Sequence, residues 1–241
     1  LFLIDYDGTL TPIAKLPEMA LLNEKTKGLL KKLVADKRNT VAIISGRRRE
    51  FIDNQFKNID VILIAEHGFY LKYPKSEWSA NLEIDLSWKN QILPVLNNYV
   101  DRCNGSMIEE KKASIVWHYR NADEEIASLR INELKDDLTE LLKAESKLQM
   151  LEGDKVLEVK SILYDKGSAA SDLINKENYD FILAIGNDRT DEDLFKVIPK
   201  FGFTIKVGSK PSKARFNIRN QSQIYEILSL FTDFPEEHKE E

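Results

Sequence analysis

The sequence predicts an α/β protein in which a doubly wound, mostly parallel sheet carries an inserted α+β unit. Short apolar runs rich in β-branched residues recur along the chain, helical patterns alternate with them, and a long central stretch breaks this alternation. The apolar runs have the length of buried parallel strands, and they occupy residues 1–5, 40–45, 61–66, 181–186 and 203–208.

Helical spacing of apolar residues appears between these runs. Leu29, Leu30 and Leu33 predict a helix between the first two runs, and the pattern from Leu194 to Ile198 predicts another after the fourth. Such alternation is typical of an open sheet with helices on both faces. We therefore expect residues 1–76 and 162–233 to form one core domain.

The central stretch, 77–161, follows a different order. Each of two predicted helices is followed by a pair of short runs with strand character, and these pairs occupy 106–110 with 113–120 and 147–152 with 155–160. Helices followed by hairpins predict a separate α+β domain inserted into the core. The final residues, 234–241, include four glutamates and predict an acidic, disordered tail.

Composition and charge exclude several classes of function. The net charge of −5 argues against nucleic acid as a partner, because binding to phosphate backbones needs a dense basic surface. A single cysteine and three histidines argue against a zinc cluster, so any metal should be a hard cation such as Mg²⁺. No apolar run reaches the roughly 20 residues of a membrane span.

The cysteine count and the first residue bear on the setting of the chain. Cys103 has no partner for an internal disulfide, which fits a reducing, cytoplasmic location. The chain begins at Leu1, directly on a predicted core strand, and not at a methionine. We therefore expect a domain of a longer protein.

Four clusters of polar residues stand near the ends of the predicted core strands. One of the four lies at the start of a predicted core helix. The clusters are Asp5-Tyr6-Asp7-Gly8-Thr9, Ser45-Gly46-Arg47, Asp165-Lys166-Gly167 and the acidic stretch 186–193. Open α/β sheets bind ligands at the carboxyl ends of their strands, so we expect these clusters to meet. In the last of them, Thr190 and Asp193 also predict a helix capping box.

These clusters supply the groups that phosphoryl transfer requires. Asp5 is the candidate nucleophile, and Asp7 is the candidate general acid and base. The Ser45 hydroxyl and the Lys166 ammonium are expected to hold the transferring oxygens. A magnesium site is expected to use Asp5 and Asp7, completed by Asp188 with Asn187 or Asp191.

The order of these motifs, DYDGTL, IISGR, DKG and GNDRTDEDLF, resembles that of the haloacid dehalogenase-like phosphatases. The insertion between the second and third motifs matches the large cap domain of that superfamily. The resemblance implies an aspartyl-phosphate intermediate and Mg²⁺ as the cofactor.

Alternation along the inserted segment places Ser114, His118 and Arg120 on one strand face and apolar residues on the other. A face that carries charged groups and His118 suits a polyhydroxyl ligand, and an ordinary solvated sheet face is the alternative.

The motifs IEEKKASIVWHYR, GDKVLEVK and AEHG resemble those of trehalose-6-phosphate phosphatases, over nearly the whole chain. That resemblance implies hydrolysis of trehalose 6-phosphate and frequent fusion to a trehalose-phosphate synthase. It implies sugar binding by Glu109, Lys111, Arg120 and Glu158, and it also matches Arg47 and His67 to motif positions nearer the core. Asn187 departs from the family, in which many members carry Asp.

The residues leave alternatives open. A related phosphatase acting on sucrose phosphate or another sugar phosphate carries the same core chemistry, and phosphoryl transfer to a second sugar is also compatible with it. A regulatory domain that binds the sugar phosphate without cleaving it is a further alternative, although such a domain does not need Asp5, Asp7, Lys166 and Asp188.

Overall fold

The computed structural model describes residues 1–14, 16–80, 85–143, 145 and 147–232, so the predicted acidic tail 234–241 lies outside the described residues. The chain divides into two compact units. The core unit comprises Leu1–Ala80 and Asp165–Glu241, and the inserted unit comprises Asn81–Tyr164. No described helix combines the length and apolarity that crossing a bilayer demands.

The described strands are β1 (Phe2–Asp5), β2 (Val41–Ile44), β3 (Ile62–Ala65), β4 (Tyr70–Lys72), β5 (Ser79–Ala80), β6 (Met107–Glu110), β7 (Ser114–His118), β8 (Leu148–Gly153), β9 (Val156–Ser161), β10 (Leu183–Gly186), β11 (Phe203–Val207) and β12 (Phe216–Ile218). The helices are α1 (Glu24–Ala35), α2 (Arg49–Gln55), α3 (Lys89–Arg102), α4 (Glu124–Lys143), α5 (Lys166–Ile174), α6 (Asp191–Val197) and α7 (Gln223–Ser229). Two short 3-10 turns span Pro17–Met19 and Glu66–Gly68.

The core unit is built on one sheet with the strand order β12-β11-β10-β1-β2-β3-β4-β5. The pairs from β12 to β3 are parallel, and β4 and β5 add antiparallel strands at one edge. The prediction of a doubly wound, mostly parallel α/β sheet is therefore confirmed.

Alternate residues of the central strand pack into two different apolar layers. Phe2 and Ile4 belong to the layer that contains Leu30 of α1, whereas Leu3 belongs to the layer that contains Leu173 of α5. Neighbouring side chains of a strand point to opposite sheet faces, so a strand with both faces covered is apolar at every position. This explains why β1 reads as an unbroken apolar run.

The inserted unit contains an antiparallel sheet with the order β6-β7-β9-β8. One face packs on α3 and α4: Trp117 is fully buried and shares a core with Leu96 and Leu134. Val116 precedes Trp117 on β7, so its side chain points to the opposite face of the sheet. Glu109 and Glu158 both pair in register with Val116 and therefore lie on that face. Two carboxylates therefore flank the central strand on the same face.

Parallel strands in the core unit end at one edge of the sheet, and this edge carries the polar clusters. Asp5 ends β1, Ser45 follows β2, and Asn187 follows β10. The strands β10, β1 and β2 are direct neighbours. Residues that lie far apart in the sequence are thus adjacent at this edge.

Candidate active site

A buried lysine joins two carboxylates at the end of β1. Lys166 is the first residue of α5, and Asp165 before it caps the helix by accepting a hydrogen bond from the Ser168 amide. The Lys166 ammonium donates to Asp5 Oδ1 at 2.7 Å and to Asp191 Oδ1 at 2.8 Å. All three side chains are at most 5% exposed, so water screens these contacts little.

The charges of this cluster are unbalanced. Burial raises the pKa of Asp5 to about 6, although Lys166 opposes the rise, and burial also raises the pKa of Asp191. Burial would lower the pKa of Lys166, but the surrounding carboxylates outweigh that effect and raise it. Lys166 is therefore a cation, and its neighbours would be easier to ionise with one more positive charge nearby.

The second aspartate of the first motif is paired with Arg47. The guanidinium donates two hydrogen bonds to the Asp7 carboxylate in a bidentate pair, with Nε 2.6 Å from Oδ2 and Nη2 2.5 Å from Oδ1. Its Nη1 donates to the Pro17 carbonyl at 2.7 Å, and the Phe51 ring centre lies 4.6 Å from the guanidinium carbon. Arg47 thus fixes the direction of Asp7, and its predicted contact with substrate stays a prediction.

Three oxygen-bearing groups converge at the end of β1: the Asp5 carboxylate, the Asp7 main-chain carbonyl and the Asn187 side-chain amide. One terminal atom of the Asn187 amide lies 3.0 Å from Asp5 Oδ2 and 2.6 Å from the Asp7 carbonyl oxygen. The two acceptors identify this atom as the amide nitrogen, which donates to both oxygens; turning the amide by 180° would place its oxygen there and complete a group of three oxygens. Three converging oxygens are the ligand set that a hard divalent cation binds. A side chain at Gly8 would displace this amide, since its Cβ would lie 2.2 Å from the other terminal atom of the Asn187 amide.

With the Asn187 amide turned so that its oxygen faces Asp5, this oxygen group combines a carboxylate, an amide and a main-chain carbonyl. Within the described part of the chain, no group of three or more His, Cys, Asp or Glu side chains is arranged to hold a metal ion. The chemistry of the donors fits Mg²⁺, which accepts all three types of oxygen.

Asp188 caps helix α6 in this structure. Its Oδ1 accepts hydrogen bonds from the Thr190 amide at 2.8 Å, the Thr190 hydroxyl at 2.7 Å and the Asp191 amide at 3.2 Å. The predicted capping box of Thr190 with Asp193 is wrong, because the Thr190 side chain makes no capping bond. Burial would raise the pKa of Asp188, but Lys166 and these hydrogen bonds lower it to about 2.

The raised pKa of Asp5 predicts how stability depends on pH. The folded state keeps a proton on Asp5 between pH 3.8 and about 6, whereas the unfolded chain has lost it. The free energy of unfolding should therefore fall as pH rises through this window, by about 3 kcal/mol at 1.36 kcal/mol per pH unit. Thermal melts from pH 4.5 to 6 in chelator should show a smaller fall for Asp5→Asn. Equal slopes for the two proteins would contradict the buried carboxylate.

A strained turn lies behind the Ser45 cluster. Glu66 and His67 both have left-handed backbone conformations, with φ of 49° and 59°. In this conformation their main-chain N–H groups point to the loop after β2. The Glu66 N–H donates to the Arg47 carbonyl, and the His67 N–H donates to the Ser45 carbonyl. The His67 ring packs against Gly46, where a Cβ would lie 2.4 Å from Cε1. His67 therefore contacts the Ser45-Gly46-Arg47 turn, which is predicted to bind phosphate, through its main-chain N–H and its ring.

The sugar-binding candidates lie in the inserted unit, and most pair with one another. Ser114 Oγ donates to Glu158 Oε1 at 2.5 Å, and Lys111 Nζ lies 3.6 Å from the same oxygen. His118 Nε2 and Glu109 Oε2 are 2.9 Å apart. These residues lie on or beside the polar face of the sheet. The structure thus brings the inserted-unit candidates together in two pairs.

Arg120 lies apart from these pairs. Its Nη2 donates to the Asp154 carbonyl oxygen at 2.7 Å and to Asp154 Oδ2 at 2.8 Å, in the hairpin between β8 and β9. The sequence alone gave no sign of this partner, because the two residues are 34 positions apart. Its sugar-binding role stays a prediction.

Sequence similarity links this chain to one family of known proteins. The family model for trehalose-phosphatase matches residues 3–222. The chain is 40% identical to the bifunctional trehalose-6-phosphate synthase/phosphatase of Thermoproteus tenax over 95% of its length, and 36% identical to the trehalose-phosphatase of Schizosaccharomyces pombe over 97%. The chain covers 31% of each of these relatives, so it spans about a third of their length.

A solved structure is also similar. The C-terminal domain of the C. albicans trehalose-6-phosphate phosphatase matches with a TM-score of 0.90 and 31% sequence identity. The match covers 97% of this chain and 92% of that one.

Proposed function

Since the chain belongs to the trehalose-phosphatase family, we propose that it hydrolyses trehalose 6-phosphate to trehalose and phosphate. The observation that carries the proposal is the buried contact of Asp5 with Lys166 at the carboxyl edge of the sheet. It places a candidate nucleophile and a fixed cation within 2.7 Å of each other. Neither group has an evident structural need to be charged at a buried position, where apolar residues usually serve as well.

The core residues divide the reaction into two steps. The Asp5 carboxylate attacks phosphorus and forms an aspartyl-phosphate, while the bond to the sugar oxygen breaks and Asp7 gives that oxygen a proton. Asp7 then takes a proton from water, whose oxygen attacks phosphorus and releases Asp5 and phosphate. Lys166 and the Ser45 hydroxyl hold the phosphoryl oxygens, and the Lys166 charge offsets theirs.

The converging oxygens of Asp5, Asp7 and Asn187 are proposed to hold Mg²⁺, with Asp188 contributing negative charge nearby. Bound there, Mg²⁺ would neutralise phosphate charge. Asn187 is the better candidate for direct contact, because its amide faces Asp5 and Asp7 whereas Asp188 Oδ1 caps α6. An amide in place of a carboxylate gives this site one negative charge fewer than a site with Asp at this position.

Phosphate release from trehalose 6-phosphate, measured with Mg²⁺ and with a chelator, tests the function directly. We expect release with Mg²⁺ and none with chelator. Sucrose phosphate and glucose phosphate serve as competing substrates, and faster release from either would favour the alternative of a related sugar phosphatase. Binding of trehalose 6-phosphate without release would favour a regulatory domain, and transfer of the phosphate to an added sugar would favour a phosphomutase.

We propose that the polar sheet face of the inserted unit selects the sugar, through Glu109, Lys111, His118, Arg120 and Glu158. A carboxylate accepts hydrogen bonds from sugar hydroxyls, and lysine and arginine donate to them. Ser114 and Lys111 both contact Glu158 Oε1, which fixes the direction of this carboxylate. Residues 77–161 would then act as a specificity domain.

Glu158→Ala should lower kcat/KM for trehalose 6-phosphate by about 10- to 100-fold, since a hydrogen bond to a charged group contributes about 1.5–3 kcal/mol. Turnover of a generic aryl phosphate should stay within about twofold, because that substrate presents no sugar hydroxyls. Glu152→Ala is the matched control: it removes a carboxylate from β8 that pairs with Lys135 at 2.6 Å and is 47% exposed. Equal losses on both substrates in Glu158→Ala would argue against the assignment.

The partner is proposed on a relative, and the location on the cysteine content. The T. tenax relative is a bifunctional synthase/phosphatase, and we propose that this chain likewise acts fused to or associated with a trehalose-phosphate synthase. We also propose a cytoplasmic location, since the single Cys103 fits a reducing compartment. Neither nucleic acid nor a membrane is proposed as a partner. Co-purification from cytosolic extract of synthase activity with the phosphatase would support this arrangement, and its absence would count against it.

A further inference from the structure

A second buried lysine lies next to the loop that carries Asn187. Lys206 is on β11, paired in register with Gly186 at the end of β10. Its side chain is 4% exposed. Its ammonium donates to the Asp188 carbonyl oxygen at 2.9 Å and to Glu192 Oε1 at 3.1 Å. Sequence motifs did not indicate this residue, because an isolated lysine in the run FTIKVG has no motif of its own.

Glu192 on α6 is itself held in place. Ser212 Oγ donates to its Oε1 at 2.8 Å, and the Lys213 amide donates to its Oε2 at 2.7 Å. Burial would raise the pKa of Glu192, but a main-chain amide, a hydroxyl and Lys206 outweigh it and lower the pKa. Glu192 is therefore an anion that neutralises Lys206, so the pair adds no net charge beside the oxygen group.

The loop between β10 and α6 is thus fixed from two sides. Asp191 Oδ2 accepts hydrogen bonds from the main-chain N–H of Asn187 at 2.8 Å and from that of Asp188 at 3.0 Å. Lys206 holds the carbonyl of the same Asp188 residue. The main chain of Asp188 is therefore hydrogen-bonded at both its N–H and its C=O, and it directly follows Asn187, whose side chain faces Asp5 and Asp7.

A buried ion pair is an expensive way to join two elements, since apolar side chains of similar volume usually stabilise a core as well or better. What an apolar side chain cannot do is donate a hydrogen bond to the Asp188 carbonyl. We propose that Lys206 is a positioning residue for Mg²⁺: its hydrogen bond to Asp188, sustained by Glu192, keeps the Asn187 amide directed at Asp5 and the Asp7 carbonyl. The proposal rests on the metal site of the proposed function.

The test measures Mg²⁺ binding without turnover, by titration calorimetry of the folded protein. Lys206→Met keeps an unbranched side chain that is one atom shorter and removes the donor. We expect its Kd for Mg²⁺ to rise about tenfold, as is typical when a partner of a metal ligand is removed. The Mg²⁺ concentration for half-maximal activity should rise equally, while KM for trehalose 6-phosphate at saturating Mg²⁺ stays unchanged. Lys206→Arg, which retains donors, should recover most of the affinity.

Lys196→Met is the matched control. Lys196 lies on α6 and, like Lys206, pairs with an acidic residue, but it is 45% exposed and its partner, Asp193, lies on the same helix. Its Kd for Mg²⁺ should equal that of the wild type. If Lys206→Met is folded and binds Mg²⁺ as the wild type does, the proposal is overturned.

Glu192→Gln decides the matter if Lys206→Met does not fold. It leaves Lys206 in place but without its counter-ion, so an unneutralised cation would lie beside the Mg²⁺ site. We expect weaker Mg²⁺ binding here too, and an unchanged Kd would overturn the proposal. Failure of the wild type to bind Mg²⁺ would instead overturn the metal site itself, and the role of Lys206 with it.

Discussion

Asp5→Asn should abolish phosphate release and at the same time raise the melting temperature of the metal-free protein at pH 7. Loss of a catalytic nucleophile lowers turnover by roughly 10⁴-fold or more. The stability gain follows from burial, which raises the pKa of Asp5 to about 6 and makes its charged form unfavourable at pH 7. Asparagine keeps an oxygen that can accept the Thr9 hydroxyl, which lies 3.0 Å from Asp5 Oδ2. Phosphate release and thermal melts measure the two effects.

Asp172→Asn is the control for this substitution. Asp172 lies on α5, the same helix as Lys166, and outside the carboxylate cluster. Turnover and melting temperature should both match the wild type. Wild-type turnover in Asp5→Asn would overturn the covalent mechanism. Lost turnover with a lower melting temperature would mean that Asp5 is chiefly a structural partner of Lys166.

The sequence was sufficient to predict the core strands β1, β2, β3, β10 and β11, the doubly wound sheet and the contact of Asp5 with Lys166, but it did not predict β4, β5 and β12 at the two ends of the sheet. The strands β1, β2, β3 and β10 are buried at every position, so their sequences are almost entirely apolar, and parallel strands place their carboxyl ends together. The inserted α+β unit also left a visible signal, because alternation with period two replaces the unbroken runs.

Side-chain pairings could not be predicted in the same way. Arg47 belongs to the second motif, and nothing in its neighbours indicates that its donors go to Asp7, 40 positions earlier. Asp188 is one residue from Asn187, and only the backbone path of the loop decides which side chain faces Asp5. The capping prediction failed for the same reason: Thr190 and Asp193 have the right spacing and Thr190 is the N-cap residue, but its hydroxyl donates to Asp188 Oδ1 and makes no capping bond.

Lys166→Met should reduce both stability and turnover. Removing the ammonium leaves Asp5 and Asp191 buried with no cation between them, and breaking a buried pair in this way costs about 3–5 kcal/mol. The loss should be smaller at pH 5 than at pH 7, because burial raises the pKa of both carboxyls and protons then replace the missing charge. Turnover should fall by about 10²–10³-fold or more, as for other removed oxyanion partners. Denaturant melts at both pH values and phosphate release provide the measurements.

The double variant Lys166→Met/Asp191→Asn separates the two roles of Lys166. Asparagine removes the second buried charge and keeps an oxygen for the amides of Asn187 and Asp188, which now donate to Asp191 Oδ2. Stability should therefore recover by half or more, because one of the two uncompensated charges is gone. Turnover should not recover, since no cation faces the phosphoryl oxygens. A stable double variant with turnover within tenfold of the wild type would show that Lys166 only neutralises its neighbours, and catalysis would need another cation.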